Sequence, residues 1–576
     1  MRLIPLGVAV VAAALYFASL GEAPFLDPPE GFHAEIAREM AESGNWLTPR
    51  LNRVRDFDKP PLEHWLMATS FTVGGVSPFT ARFWSALAAV ACAAVTAQIG
   101  VLLGGPRVGL LAGLMTAANL GIFLYGRLVK PDLLFVFCLT LAQAGFVLAY
   151  LGRGGRRGLV LFYVALGLAA LAKDLTAAVG VLATVALFLW MTRERPLAPW
   201  WPWWGIGVLA LTALPWYLAV EANNRGFIWY TLVDNHVLNF TRQRIFPDED
   251  VPLGSLEFLA VTVAAFLPWS LAAPWAIVRS LRRDWEAPVD RLWLLFALWV
   301  VLVIGFFTVS PFKLPHYALP AYPAMALLVA RLWEDTMTAA PRAVRPRALL
   351  VPIAVVFAMA AAAAAAIWAG RLGVSRRVVA ILDLTSRNMA ALGVPVPELP
   401  LDALRSVLAL CAVVFGLAAL VLGLAIYRRS AELGVTVVLA AMLAFLPAAG
   451  KGMAEFARAR SAEPIGLALA RRAQPGDVIV HEGALEHTAS LLLKLRQPVY
   501  VVNGRMSNLG FGATFPDARE VFWDAGRVRQ AWKGPGRRFL ISTIAAERSV
   551  VGSLPPDQVH LIVEAAGRRL YSNVPD

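Results

Sequence analysis

Apolar residues run in blocks of about 18–25 along the first 450 positions, each interrupted by a short polar or basic stretch. A helix of that length crosses a hydrocarbon core of ~30 Å. Thirteen spans are expected, near 2–20, 79–103, 107–126, 131–152, 158–172, 175–191, 203–221, 255–278, 291–309, 316–334, 347–369, 403–427 and 432–450. Only Lys173-Asp174 separates the fifth from the sixth. Arginines gather on alternate connections, at Arg2, Arg107, 153–157, 193–195, 279–283, 331–347 and 428–429. The positive-inside rule puts those connections in the cytoplasm. The other side then carries the loops 21–78, 222–254 and 370–402, and the tail 451–576.

Two stretches of the loop 21–78 keep a helical period without the length to span. Residues 31–43 repeat Phe32, Ile36 and Met40 among charged residues, and residues 61–73 form a second short apolar run. Both are expected as interfacial helices lying along the outer membrane surface. After Gly450 the pattern changes to short β-type runs, at 477–481, 498–502, 538–543 and 560–564, alternating with helical stretches such as 488–495. The chain is therefore expected to divide into a transmembrane domain, 1–450, and a small outer α/β domain, 451–576.

At 58% hydrophobic and 16% charged residues, the composition excludes a soluble enzyme and a disordered chain. The net charge of +13 suggests nucleic acid, but most of it follows the topology. Cys92, Cys138 and Cys411 all fall in apolar spans, so neither a disulfide framework nor a zinc ribbon is expected. The first apolar run lacks a small-residue cleavage site and is expected to be a retained span rather than a signal peptide. Arg127, Lys130, Lys173 and Lys313 oppose the topological trend, which suits an anionic head group at the outer surface. No phosphate-binding glycine motif is present, so a nucleotide sugar is not expected. No internal repeat of the transporter kind is visible.

The densest polar pattern lies in the first outer loop: Asp27-Pro28-Pro29-Glu30-Gly31-Phe32-His33-Ala34-Glu35-Ile36, then Asn45-Trp46-Leu47-Thr48-Pro49-Arg50, then Phe57-Asp58-Lys59-Pro60-Pro61. By residue type alone, this is either a base and an anion site stiffened by proline or a solvated interfacial turn. Further along stand Arg127-Leu128-Val129-Lys130-Pro131-Asp132, Leu214-Pro215-Trp216-Tyr217 and Lys313-Leu314-Pro315-His316-Tyr317. In this order the motifs resemble the bacterial C-type (GT-C) membrane glycosyltransferases of the protein mannosyltransferase-like group. That group includes the aminoarabinose transferases that modify lipid A.

The resemblance implies an α-helical polytopic GT-C fold with periplasmic interfacial helices and a small C-terminal α/β domain in the bacterial inner membrane. It also implies a polyprenyl (undecaprenyl) phosphate-linked sugar as donor, aminoarabinose first among sugars, and an envelope lipid, lipid A first, as acceptor. Where the family carries an Asp-Glu pair, this chain has Pro29-Glu30. Glu30 and then Asp27 are the expected first-loop carboxylates, and Asp132 matches the second family aspartate. Lys59, Arg242, Arg244 and Lys313 would hold the lipid phosphate, with Tyr317 donating a hydrogen bond.

The segment 229–244 resembles the family's histidine-containing interfacial stretch. Its His236, with Asp58, would supply two ligands to a divalent metal ion, short of the three or four that zinc takes. A hydrogen-bonded His236 is the competing reading. His33, His64 and His316 flank the same region. A protein or polysaccharide acceptor would keep the fold. A flippase or transporter for a lipid-linked substrate would be a different class, opposed by the scarcity of ionisable residues within spans.

Overall fold

The computed structural model describes the chain except for residues 1–2, 283–284, 341–342, 392, 394–395, 496 and 576. Arg2, Arg283 and Arg342, counted above on the basic side, lie outside the described residues. Helices α1 (Leu3–Phe17), α2 (Pro29–Ser43), α3 (Leu62–Gly74), α4 (Pro78–Ala117), α5 (Leu120–Gly126), α6 (Asp132–Tyr150), α7 (Gly155–Ala172), α8 (Thr176–Met191) and α9 (Trp203–Asn223) fill the first part. A π-helical segment, Tyr230–Leu238, follows. Next come α10 (Ser255–Ala265), α11 (Ala273–Leu281), α12 (Pro288–Val309), α13 (Tyr322–Met337), α14 (Pro346–Trp368), α15 (Leu384–Ala391), α16 (Arg405–Tyr427) and α17 (Ala431–Arg460).

Among the described residues, eight helical segments are long and apolar enough to cross a membrane, and shorter apolar helices accompany them at Leu3–Phe17, Ala178–Met191 and Ser255–Ala265. The protein is thus a multi-span membrane protein. The second and third expected spans are limbs of α4, which reverses at Gly105 (φ +86°) followed by Pro106. Only glycine adopts that angle readily, and proline then starts the return limb. The limbs touch backbone to backbone, since a Cβ on Gly100 would lie 2.8 Å from the Cα of Gly109. The expected span 255–278 is interrupted between α10 and α11, where Pro268 removes a backbone donor.

The tail forms a six-stranded sheet from β1 (Val478–Glu482), β2 (Val499–Val502), β3 (Phe522–Trp523), β4 (Arg538–Ser542), β5 (His560–Ala565) and β6 (Arg568–Ser572), in the order β3-β2-β1-β4-β6-β5. The first four are parallel, and β6 and β5 close one side antiparallel. The four strands read from the sequence are present within a residue or two. β3 is too short and β6 too rich in arginine to stand out. The expected helix at 488–495 is a 3₁₀ turn, Leu485–Leu491, kinked at Thr488. Helix α17 continues unbroken past the expected boundary at 450 to Arg460.

Most of helix α2 is buried within the protein. Phe32 and Ile36 enter the core of the α/β unit beside Ile479, Leu491 and Leu570, while Ala34, Ala37 and Met40 pack against Met67, Ala68 and Phe71 of α3. Its apolar residues occupy two faces rather than one, so it is sandwiched. Other ties run the same way. Asn52 exchanges two hydrogen bonds with the Val499 backbone (2.6 and 3.1 Å), and Arg50 and Arg55 each donate to Asp517 at 3.0 Å.

Candidate active site

A cavity of about 740 Å³ opens between α6, α8, α9, α12, the π-helix, the turn Pro315–Ala321 and the first loop. One end is apolar, lined by Val136, Leu139, Val179, Ala183, Leu302 and Phe306. The other collects Asp58, Lys59, Asp132, Lys173, Asp174, His236, Arg244, Asp248, Asp250, His316 and Tyr317, together with Asn508 from the α/β unit.

Local sequence explains most of these positions. Asp132 is the first residue of α6, after Pro131, and Lys173 ends α7. The two side chains form an ion pair, Asp132 Oδ1 with Lys173 Nζ, and His316 Nε2 stands 3.7 Å from the same oxygen. Lys173 also faces the ring of Tyr317, at 5.3 Å. Asp174 caps α8 by accepting from the Thr176 backbone N–H (2.8 Å) and hydroxyl (2.9 Å). Its other oxygen meets His236 Nε2 at 2.7 Å.

His236 Nδ1 lies 2.6 Å from the Thr231 carbonyl oxygen, which only accepts, so Nδ1 carries a proton. Burial works against charge on the ring, but the hydrogen bond and charge of Asp174, together with the Thr231 carbonyl, outweigh it and the pKa is raised. Lys59 Nζ donates to Asp58 Oδ1 at 2.8 Å. Burial disfavours this ammonium, yet Asp58, with Asp132 and Asp248 beyond it, raises its pKa. Lys59 therefore stays protonated at neutral pH. Arg244 donates to Asp248 Oδ2 and to Asn235 Oδ1, each at 2.7 Å.

Several expected site residues stand elsewhere. Glu30 is fully buried and accepts from Arg82 twice (2.7 and 2.6 Å), from the Leu26 N–H (2.8 Å) and from the Val129 N–H (3.1 Å). It fastens the first loop to α4 and does not reach the cavity. Asp27 is fully buried as well, accepting from the Ala462 N–H (3.2 Å) and from the N–H and hydroxyl of Ser490. Its burial raises its pKa against the pull of Arg568 and these donors. It fastens the loop to the α/β unit.

Lys313 turns back on α12, donating to the carbonyls of Thr308 (3.0 Å) and Ser310 (2.7 Å) and to the Ser255 hydroxyl (3.0 Å). It satisfies the helix end that would otherwise carry orphan acceptors. Arg242 is exposed and does not line the cavity. Asp58 and His236 line the same cavity but take different partners, and among the described residues no group of three or more metal-type ligands comes together. Asp132, Lys59, Arg244 and Tyr317 are in the wall as expected.

Lys173 is marked in the sequence only as an outer cation, and Asp174, Asp248, Asp250 and Asn508 carry no such mark. The signal for the first two was a charged pair between apolar spans, which is costly without a partner. Nothing local marks Asn508. His33 and His64 sit behind the site, 3.1 Å apart through Nδ1 and Nε2, and burial lowers the pKa of both.

Residues 26–231 match the family Dolichyl-phosphate-mannose-protein mannosyltransferase. The chain is 30% identical over 338 residues to the undecaprenyl phosphate-alpha-4-amino-4-deoxy-L-arabinose arabinosyl transferase of Serratia proteamaculans, an alignment covering 58% of this chain and 59% of that relative. It is also 30% identical to a transferase of the same name from Pseudomonas aeruginosa, over 52% of this chain and 54% of the relative. The chain thus spans less than two thirds of the curated relatives it matches. The crystal structure of ArnT from Cupriavidus metallidurans bound to undecaprenyl phosphate superposes with a TM-score of 0.78 at 22% identity, covering 99% of this chain and 98% of that one. Agreement over essentially both whole chains shows that this protein has the fold of that structure.

Proposed function

We propose that this protein transfers a sugar from polyprenyl (undecaprenyl) phosphate to an envelope lipid, with aminoarabinose as the sugar and lipid A as the acceptor. The observation that carries the reading is the two-ended cavity. Its apolar arm between α6, α8 and α12 suits an isoprenoid tail, and its charged end suits a phosphate and the sugar attached to it. The names of the relatives point to the same donor. In this reading residues 1–450 perform transfer, and residues 451–576 roof the cavity on the periplasmic side.

The chemistry follows from the leaving group. Cleaving the anomeric C–O bond leaves positive charge on the sugar and negative charge on the lipid phosphate. Lys59, Lys173 and Arg244 stabilise the phosphate as that charge develops, and the Tyr317 hydroxyl donates to it. A phosphate is a good leaving group and needs no proton. Asp132, with Asp58 across the cavity, orients the acceptor and takes its proton where the acceptor is a hydroxyl. An acceptor phosphate has a second pKa near ~6 and is already largely ionised. Loss of the first-loop aspartate at Pro29 is compatible with such an acceptor.

The test uses purified protein in nanodiscs with radiolabelled aminoarabinose on undecaprenyl phosphate, lipid A and a peptide pool. Label moving to lipid A is expected. Label moving to peptide would replace the acceptor. No transfer from any lipid-linked sugar, with substrate crossing sealed vesicles instead, would replace the enzyme by a flippase.

A further inference from the structure

The ionic pairing of the cavity wall is incomplete in one place. Four of its carboxylates have a cationic or protonatable partner: Asp58 with Lys59, Asp132 with Lys173, Asp174 with His236 and Asp248 with Arg244. The fifth, Asp250, is held among the described residues only by a neutral amide, Asn388 Nδ2 donating to its Oδ1 at 2.9 Å. Its own N–H donates to Asp248 Oδ1 at 3.2 Å, which keeps the two carboxylates adjacent. The position is built rather than incidental. Asn388 on α15 also accepts from the Val251 N–H (3.0 Å), and the neighbouring Arg387 donates to the Pro252 carbonyl oxygen (3.0 Å), so a separate helix fixes the backbone that follows Asp250.

The wall therefore carries five carboxylates against Lys59, Lys173, Arg244 and the protonatable His236, and each of those four is already engaged. A lipid phosphodiester entering such a site adds a further negative charge. The site favours that ligand only if it brings positive charge of its own. We infer that Asp250 receives an ammonium group on the transferred sugar and is the residue by which the site selects an amino sugar over its neutral counterpart. This rests on the lipid-linked donor proposed above. A zwitterionic glycosyl phosphate would set its phosphate against the lysines and its ammonium against Asp250, leaving the charge of the cavity unchanged on binding. Burial and Asp248 raise the Asp250 pKa to about 6, so a cationic ligand has both a charge repulsion and a desolvation cost to relieve there.

The experiment compares undecaprenyl phosphate carrying 4-amino-4-deoxyarabinose with the same lipid carrying arabinose, in wild-type protein and in Asp250→Asn. Binding is read by native mass spectrometry and transfer by kcat/KM. Wild type is expected to prefer the amino donor, and Asp250→Asn to reduce that ratio about 10- to 100-fold, the usual scale for losing a charge-assisted hydrogen bond. Asn388→Ala, which frees the carboxylate without removing it, is expected to reduce the ratio less. Retained binding of plain undecaprenyl phosphate by both variants shows that the cavity is folded. An unchanged ratio in Asp250→Asn, or a wild type without preference, overturns the assignment while leaving the transferase reading intact. Failure of wild type to bind either donor removes both.

Discussion

Replacing Glu30 separates anchoring from catalysis at the position where the family resemblance puts the first-loop carboxylate. Arg82 and Glu30 are 3% and 0% exposed, and the pair closes through two parallel contacts of 2.7 and 2.6 Å. Arg82 also donates to the carbonyls of Leu20 (2.9 Å), Ala23 (3.0 Å) and Pro24 (2.8 Å), which pins the start of the loop. Glu30→Gln removes the countercharge and leaves the guanidinium buried. Breaking a buried pair from one side costs about 3–5 kcal/mol, whereas removing both charges costs less. Thermal unfolding in detergent should therefore rank wild type above Glu30→Gln/Arg82→Met, and that double variant above Glu30→Gln. The double-mutant cycle isolates the pair from the carbonyl contacts. Transfer per folded molecule should fall far less in Glu30→Gln than in Asp132→Asn, because Asp132 alone of the two stands in the cavity. A Glu30→Gln protein that melts like wild type and transfers nothing would refute this reasoning and return Glu30 to the chemistry.

Lys173→Met should lower kcat/KM by at least about 100-fold, since it removes a phosphate cation and leaves Asp132 unpaired; binding of undecaprenyl phosphate should weaken in parallel, and unweakened binding would place the phosphate elsewhere. Phe511→Ala, which empties the ring cluster between Phe57 (5.4 Å) and Tyr230 (4.6 Å), should raise KM through the adjoining Asp58-Lys59, and Phe511→Tyr should restore it. Glu63 is buried with one carboxylate oxygen unpartnered, and burial raises its pKa from 4.5 to about 8. A raised folded pKa gives stability that is complete below 4.5 and lost as pH rises through about 8. The melting temperature should fall from about pH 4.5 to about pH 8 and level off above that, and Glu63→Gln should flatten that fall; an unchanged slope would exclude Glu63 as its source.

The helices were legible because an apolar block of spanning length needs no tertiary information to be read. The two limbs of α4 could be separated for a similar reason, as Gly104-Gly105-Pro106 is a local stop signal. The site was legible only in part. Lys59 and Asp132 lie in motifs whose local geometry already aims them inward. Glu30 and Asp27 lie in an equally suggestive motif, but their partners are 52 and more than 430 residues away, and a carboxylate looks the same whichever partner claims it. Lys313 failed for the opposite reason, since its partners are the backbone of the helix just before it. Asp250 has meaning only once every other carboxylate has been matched with its cation, and no linear pattern encodes that matching.

The ties between the first loop and the last quarter of the chain bear on biogenesis. Asp27 finds its partners at Ala462 and Ser490, Asn52 at Val499, and Arg55 its carboxylate at Asp517. Ribosomes release the loop hundreds of residues before those partners exist, so for most of synthesis its buried carboxylate has nothing to bury against. Contacts of such sequence separation form late and slowly. The nascent protein therefore cannot hold a finished cavity while its chain is still being inserted, and the cavity is complete only when the final domain has folded. Late truncation of this chain therefore leaves the first loop as unanchored as early truncation does, even though every membrane helix has been made.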